Sequence, residues 1–553
     1  MDVTRHNFNE ALVDLEKQLA MPSCRFIAID TEFTGLTPSE STREKVIDTL
    51  EERYAKVRAS GENFLITQFG VALVHVEAES EKTWISCWNF YVFPRPYQNV
   101  DTRFLCQASS MQFMAEHGFD FNKFIRDGIP YLSRKTEMSV RKSTEKSIAN
   151  LGKSPPEKMN VNRHFDKMWL AETIDKIDSW LTGPVASDEA SEETSAVPSS
   201  SSELFLAARN PFRRLLALHA AKYLAKHPDA KSLYMETSDA GVRLVRTSSA
   251  AERDNLKKRK IDALNQEVDN AVGFSKVIQL LGKSNKPVIG HNCLLDFVYL
   301  FHQFCGPLPP TLVQFKQQLG KAFPTIYDTK VLALTSPASD AFESTSLSAM
   351  FDYMRDHLNL DVSSLVLDDA NAYHKALQTS SDESMPCHEA GFDALMTAIV
   401  YLGFTSMAAN GWATELPLDL RASTRGLELY ENRINLMVVD RPSHLDVADF
   451  DQTLDRRHVY VLEHADANGL KDVKPDDVFA DARVNRVVRE EKETYVFLSE
   501  PVATLPVPKD DKIRISPFAD YVKQKPTSAL LSSVNNDDES GAAAPPARWC
   551  SIQ

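Results

Sequence analysis

The stretch CRFIAIDTEF, residues 24–33, reads as a buried strand, and the turn-prone TGLTPSE that follows at 34–40 closes it. Side chains two apart on a strand point to the same face. Asp30 and Glu32 therefore project together. Two carboxylates at one strand end repel each other unless cations lie between them. Magnesium is a hard cation that takes oxygen ligands and often uses one or two carboxylates together with substrate phosphate. Two such ions roughly 4 Å apart can clamp the attacking and leaving oxygens of a phosphodiester displacement. A site of that kind needs more carboxylates than one strand supplies.

Two further segments offer them. KPVIGHN (286–292) reads as a strand with a polar turn, and Asp296 falls in the first turn of the helix LLDFVYLFHQF (294–304). A helix start favours an anion. Asp393 lies early in the helix GFDALMTAIVYL (391–402), five residues after His388. A neutral imidazole with a pKa near ~6.5 suits removal of a water proton at physiological pH. Taken singly, each signal has a bland reading. Asp-x-Glu in a strand is weak, Asp296 could be an ordinary helix-start acid, and His388 a cap or surface residue. The ordered set D-x-E, then D, then H-x-x-x-x-D points to a two-metal nuclease.

Outward from these motifs, Phe8, Leu12, Leu15 and Leu19 carry helical spacing, and 63–78 and 86–97 read as two more strands. The acidic, serine-rich run 184–202 reads as a linker. After it, 210–227 carries a helical stripe, and 232–248 reads as a hairpin around Asp239-Ala240-Gly241. A charged helix then leads back to 286–292, so a small unit interrupts the larger domain. From about 430, INLMVVDRP, RRHVYVLEHA and ETYVFLSEP suggest a small α+β domain. The tail from 527 has a disordered composition. The expected borders are 1–165 and 266–425 for the split exonuclease domain, 166–265 for linker and insertion, 430–510 for the second domain and 511–553 for the tail.

The chain has 553 residues, 43% hydrophobic and 25% charged, enough for two to four domains with sizeable cores. Its net charge of −15 argues against a protein that coats nucleic acid non-specifically. The seven cysteines show no CxxC pair, which favours reduced thiols in an intracellular protein. The first residues carry charges throughout and read as no signal peptide. No uninterrupted apolar run of ~18 residues suggests a membrane span.

At the acidic set the chain resembles the DEDD exonucleases of the ribonuclease H-like fold that carry His in the third motif. Within them it is similar to the poly(A)-specific ribonuclease family. The likeness extends to VTRHNF (3–8), AIDTEFTGL (28–36), FLITQFG (64–70), NFYVFPRPY (89–97), FDFNK (119–123), GIPYL (128–132), VIGHNCLLD (288–296), HQFCGPLP (302–309), YDTK (327–330), TSLS (345–348) and HEAGFDA (388–394). The resemblance implies metal binding by Asp30, Glu32, Asp296 and Asp393, with His388 as general base. It implies that Phe33, Leu36 and Phe113 wall the terminal nucleotides, where a base can stack without being read. It implies Lys330 near the scissile phosphate. Ordinary packing is the alternative for these four.

The periphery departs from the pattern. The family's insertion is named for an Arg-x-x-x-His signature; here Arg214 and His219 are one residue too far apart. Arg213, Arg214, Arg243 and Arg246 are candidates for a phosphate-contacting patch, against a solvated surface as the alternative. Residues 434–505 lack an RNP-type aromatic run and any tryptophan; since relatives in the family it resembles that bind the mRNA cap stack it on a tryptophan there, the resemblance argues against cap binding. Lys257-Lys258-Arg259-Lys260 reads either as a nuclear import signal or as a charged helix face. Cys550-Ser551-Ile552-Gln553 fits a prenylation pattern that would give weak membrane association.

The expected fold is therefore an α/β, ribonuclease H-like mixed sheet with flanking helices. A small α+β insertion splits it, and an RNA-recognition-like α+β domain follows. The expected function is 3′-to-5′ hydrolysis of RNA, releasing 5′-mononucleotides with two Mg2+ ions per site. The resemblance implies poly(A) tails as substrate and a homodimer; the expected location is the cytoplasm, the nucleus or both. The alternatives are a 3′ trimmer of small or non-coding RNA precursors and, outside enzymes, an RNA-binding scaffold.

Overall fold

The computed structural model describes residues 1–77, 82–151, 159–182, 202–224, 233–238, 240–357, 365, 373, 377, 388–414, 425–449, 454–464, 469–471, 473–490, 493–508 and 510–524. Cys550 and the residue Asp239 of the expected hairpin lie outside them. Along the chain the strands are β1 (Asp2–Val3), β2 (Cys24–Phe33), β3 (Ile66–Val76), β4 (Thr83–Tyr91), β5 (Glu203–Ala207), β6 (Leu233–Thr237), β7 (Gly241–Arg246), β8 (Val288–Gly290), β9 (Ile326–Asp328), β10 (Arg433–Asn435), β11 (His444–Asp446), β12 (Val459–His464), β13 (Val484–Arg489), β14 (Glu493–Leu498) and β15 (Ile513–Pro517).

The main sheet has the order β1-β4-β3-β2-β8-β9-β10-β11. β3 runs antiparallel to β2 and β4, while β8 and β9 run parallel to β2. This is the mixed, ribonuclease H-like sheet expected from the sequence. The strand 24–33 lies at its centre because both of its faces are apolar. Ile27 and Ile29 belong to one core, with the helices Phe8–Leu19, Leu50–Asn63, Ser275–Lys283 and Leu294–Leu300. Phe26 and Ala28 belong to the other, with the helices Thr329–Thr335, Leu347–His357 and Ala390–Ala409.

The helix Ala390–Ala409 explains how one core closes. It is apolar on all sides, and every residue from Ala390 to Met407 is buried, as befits a core helix rather than a surface one. It is long and apolar enough to cross a membrane by length and composition alone, yet 89% of its apolar window is buried inside the protein. Its start presses directly on the sheet. A Cβ on Gly70 would lie 1.8 Å from the Ala390 carbonyl oxygen, and one on Gly391 would lie 2.7 Å from the Asn89 Cβ. Two glycines thus permit the approach.

A second compact unit spans Arg134–Val272. Its three-stranded sheet, β5-β7-β6, shares a core with the helices His164–Thr182 and Pro211–Leu224 through Ile177, Leu206, Ala217, Ala220 and Leu244. The border expected at 166 lies earlier, at Arg134. The reason is that the helix Arg134–Asn150 belongs with Ala250–Val272: Arg141 donates to Asp269 at 2.7 Å and to Glu137 at 2.8 Å.

The expected border near 430 also moves. β10 and β11 extend the main sheet, because Ile434, Leu436, Leu445 and Val447 are buried in its core. The separate antiparallel sheet begins only at β12, with the order β13-β14-β12-β15. Tyr460, Leu462, Val496 and Leu498 pack on one side with Leu470 and Phe479. Val459, Val461, Tyr495 and Phe497 pack on the other with Tyr521 and Val46. Both faces of this sheet are therefore covered. Arg53 ties the edge of the main sheet down, donating to the carbonyls of Met437 at 2.6 Å and Val438 at 3.2 Å.

Candidate active site

The strand period and the two cores explain how the acidic residues converge. Asp30 and Glu32 continue the face of Phe26 and Ala28, the face covered by the helix that carries Asp393. Thr31 points the other way, and its hydroxyl donates to the carboxylate of Asp296, whose helix packs on the opposite face. Asp328 steadies the turn that delivers Asp296. Its buried carboxylate accepts from the backbone N–H groups of Asn292 at 2.7 Å, Cys293 at 3.2 Å, Lys330 at 2.9 Å and Asn435 at 2.9 Å.

The electrostatic cost of this convergence is large. Burial, then the charges of Asp393, Asp296 and Glu32, push Asp30 well above the usual carboxylate range. Burial, then Asp393 and Asp296, do the same to Glu32. Burial raises Asp296 to about 7 against the hydrogen bonds from Thr31. Burial raises Asp393 to about 7 although the His388 N–H donates to it. Four carboxylates that resist ionising together form a donor set suited to divalent cations. One ligand atom each from Glu32, His388 and Asp393 lie within 4.8 Å of one another. The residues present therefore fit such ions.

His388 sits at the lip of this set with a left-handed backbone, φ 67°. Its N–H donates to Asp393 Oδ2 at 3.2 Å. Partial desolvation of its ring, then the neighbouring His117, lower its pKa below the ordinary histidine value, which favours the neutral base. The next residue anchors it. Glu389 accepts from Asn89 Nδ2 at 2.9 Å and from the Tyr373 hydroxyl, and Gln68 Oε1 accepts from the Ala390 N–H at 3.4 Å.

The residues assigned to the nucleotide wall separate into different environments. The Phe113 ring lies 4.8 Å from that of His388 and is 40% exposed, so it borders the site. Leu36 is 46% exposed, held by its N–H to Gln107 Oε1 at 2.9 Å. Phe33 is partly buried, its ring 4.3 Å from that of Tyr299. Lys330 extends to the Thr345 carbonyl oxygen at 2.5 Å, and burial lowers its pKa. Thr31, His117, Asp328 and Glu389 escaped the sequence reading. Glu389 and Asp328 stand inside the quoted blocks HEAGFDA and YDTK, but their carboxylates act through partners distant in sequence.

The arginines considered for phosphate contact in the inserted unit are engaged within it. Arg213 bonds Asp166 at 3.2 Å and covers Trp169. Arg243 bonds Glu203 and also meets Glu236 at 3.7 Å. Arg246 donates to the Trp180 carbonyl and lies over its ring. Arg214 donates to the Arg209 carbonyl at 3.0 Å. Lys257, Lys258 and Arg259 are exposed on the helix Ala250–Val272, while Lys260 pairs with Glu236 at 2.7 Å.

Residues 3–401 match the CAF1 family ribonuclease family. The poly(A)-specific ribonuclease PARN of Danio rerio is 32% identical over 475 residues, covering 83% of this chain and 67% of its own length. The Homo sapiens protein of that name is 29% identical over 552 residues, covering 95% and 81%. The pre-piRNA 3′-exonuclease trimmer of Bombyx mori is 26% identical over 446 residues, covering 79% and 77%. Among solved structures, S. pombe Pop2p in its Mg2+- and Mn2+-bound form is 14% identical, with 77% of this chain and 95% of that chain covered and a TM-score of 0.33. By the match over residues 3–401 and the likeness to these relatives, the chain belongs to the CAF1 family of ribonucleases, in its poly(A)-specific group, whose members are 3′-to-5′ exonucleases.

Proposed function

We propose that this protein shortens poly(A) tails, releasing 5′-mononucleotides in a reaction that depends on magnesium. The observation that carries the reading is the cluster of four carboxylates beside His388, with Asp296 and Asp393 buried and Asp30 and Glu32 half-buried. Asp30, Glu32, Asp296 and Asp393 would hold two Mg2+ ions. When bound, the ions supply positive charge to the attacking and leaving oxygens of the phosphodiester. His388 takes the proton from the attacking water. Phe113, Leu36 and Phe33 wall the terminal bases, and Lys330 steadies phosphate charge. The preference for adenosine rests on the likeness to relatives named poly(A)-specific.

A second reading has its own support. Trimming of small RNA precursors fits the likeness to the Bombyx mori trimmer, and the inserted unit's arginines already have partners within that unit. A magnesium-dependent time course on an A-tailed RNA and on an unadenylated small RNA precursor separates the two. Equal rates on both would remove the poly(A) assignment. An absence of release from any 3′-OH RNA would remove the magnesium-dependent activity, leaving an RNA-binding scaffold. The homodimer is part of the same proposal, and light scattering at micromolar concentration tests it. Placement in the cytoplasm or nucleus is proposed with it, and fractionation of the native cell checks that.

A further inference from the structure

The loop-ward end of the helix Ala108–Glu116 carries two rings one turn apart, Phe113 and His117. Their centroids lie 4.1 Å apart with planes 37° from parallel, so they form one nearly continuous surface. The His388 imidazole stands almost perpendicular to both. It lies 4.8 Å and 74° from Phe113, and 4.4 Å and 75° from His117. His117 is itself fixed, because its Nδ1 lies 2.8 Å from the Phe113 carbonyl oxygen, which also accepts the His117 backbone N–H at 3.1 Å. A ring held through Nδ1 by a carbonyl of its own helix keeps its direction without help from substrate.

We propose that His117 is a positioning residue for His388: with Phe113 it builds a two-ring wall that holds the imidazole toward Glu32 and Asp393. The proposal rests on the assignment of His388 as general base. Its physical content is orientation. His388 is exposed and itself takes a left-handed backbone; Asp393 accepts from its backbone N–H, and among the described residues the rings of Phe113 and His117 stand against its imidazole. Edge-to-face ring pairs each contribute modestly, and a general base displaced by about 1 Å can lose about 100-fold in rate.

The full chain is measured with Mg2+ and A-tailed RNA as wild type, His117→Ala and His117→Phe. His117→Ala should lower kcat by about ten- to thirty-fold with KM unchanged within about twofold. His117→Phe, which keeps a ring in the wall, should restore kcat to within about threefold of wild type. In parallel, NMR of histidine-labelled protein follows the His388 ring Cε1–H signal, assigned through His388→Gln. That signal should move in His117→Ala and return near its place in His117→Phe. Unchanged kcat in His117→Ala, a loss confined to KM, or a His117→Phe enzyme as slow as His117→Ala each overturns the proposal. If wild type releases no nucleotide, the assignment of His388 fails, and an unmoved NMR signal in His117→Ala still rejects the wall by itself.

Discussion

At the scale of single residues, the acidic set trades stability for chemistry. A carboxylate whose pKa is raised in the folded state keeps its proton after the unfolded chain has lost it. Stability is therefore lost as pH rises from the ordinary value of 3.8 toward about 7 for Asp296 and Asp393, and stays lost above that. Divalent ions should reverse this. The Tm gain on adding magnesium should be larger at pH about 8 than at pH about 5, and a chelator should abolish it; calorimetry at both pH values checks the difference. Asp30→Asn should abolish nucleotide release. It should also stabilise the metal-free protein by about 1–2 kcal/mol, since it removes one of four mutually repelling charges. An unchanged or lowered Tm in that variant would contradict the electrostatic account.

His75 illustrates the opposite sign. It is buried, stacks 3.7 Å from Trp84 and meets Ser23 Oγ at 3.1 Å, and burial lowers its pKa from 6.5 to about 4. A base with a depressed folded pKa gives stability that is whole above about 6.5 and lost as pH falls toward about 4. The loss should reach up to about 3 kcal/mol from this residue. His75→Phe should flatten the fall in denaturant midpoint between pH about 7 and about 4.5.

At the scale of elements, the site depends on how closely one helix start meets one strand. Gly70→Ala would drive a methyl into the Ala390 carbonyl, since the contact stands at 1.8 Å. The strand cannot shift without breaking its pairing to β2 and β4, so the helix start must move. We expect a loss of about 2–4 kcal/mol and a fall in kcat, because His388 and Asp393 move together. Urea denaturation and steady-state kinetics measure the two effects. The elements themselves were largely readable. Phe8–Leu19 follows its apolar spacing, and β2, β3 and β4 follow their β-branched and aromatic runs. The border at Arg134 was not readable, because it rests on a contact between Arg141 and Asp269, 128 positions apart. Nor was the membership of β10 and β11, since a three-residue strand takes its place from the core that buries it.

At the scale of the whole molecule, the inserted unit holds itself together with the arginines once considered for RNA. Arg246→Ala should destabilise that unit by about 1–2 kcal/mol through loss of the Trp180 contact and the carbonyl bond. It should leave KM for a short A-tailed RNA within about twofold of wild type. A large KM rise with unchanged stability would restore the phosphate-contact reading. The C-terminal sheet shows a similar outcome, since its aromatic side chains Tyr495 and Phe497 are spent on a face packed with Tyr521 and Val46.

The order of acids and histidine, the strand period that pairs Asp30 with Glu32, and the helix starts that carry Asp296 and Asp393 were determined by sequence alone. These are local properties: period, capping and charge type act within a few residues. The tertiary structure decided that the two helices approach β2 from opposite faces, that Thr31 and Asp328 steady Asp296, and that His117 stands against His388. Those contacts join residues tens to hundreds of positions apart. Their geometry follows from packing two cores around one sheet, which no local pattern encodes.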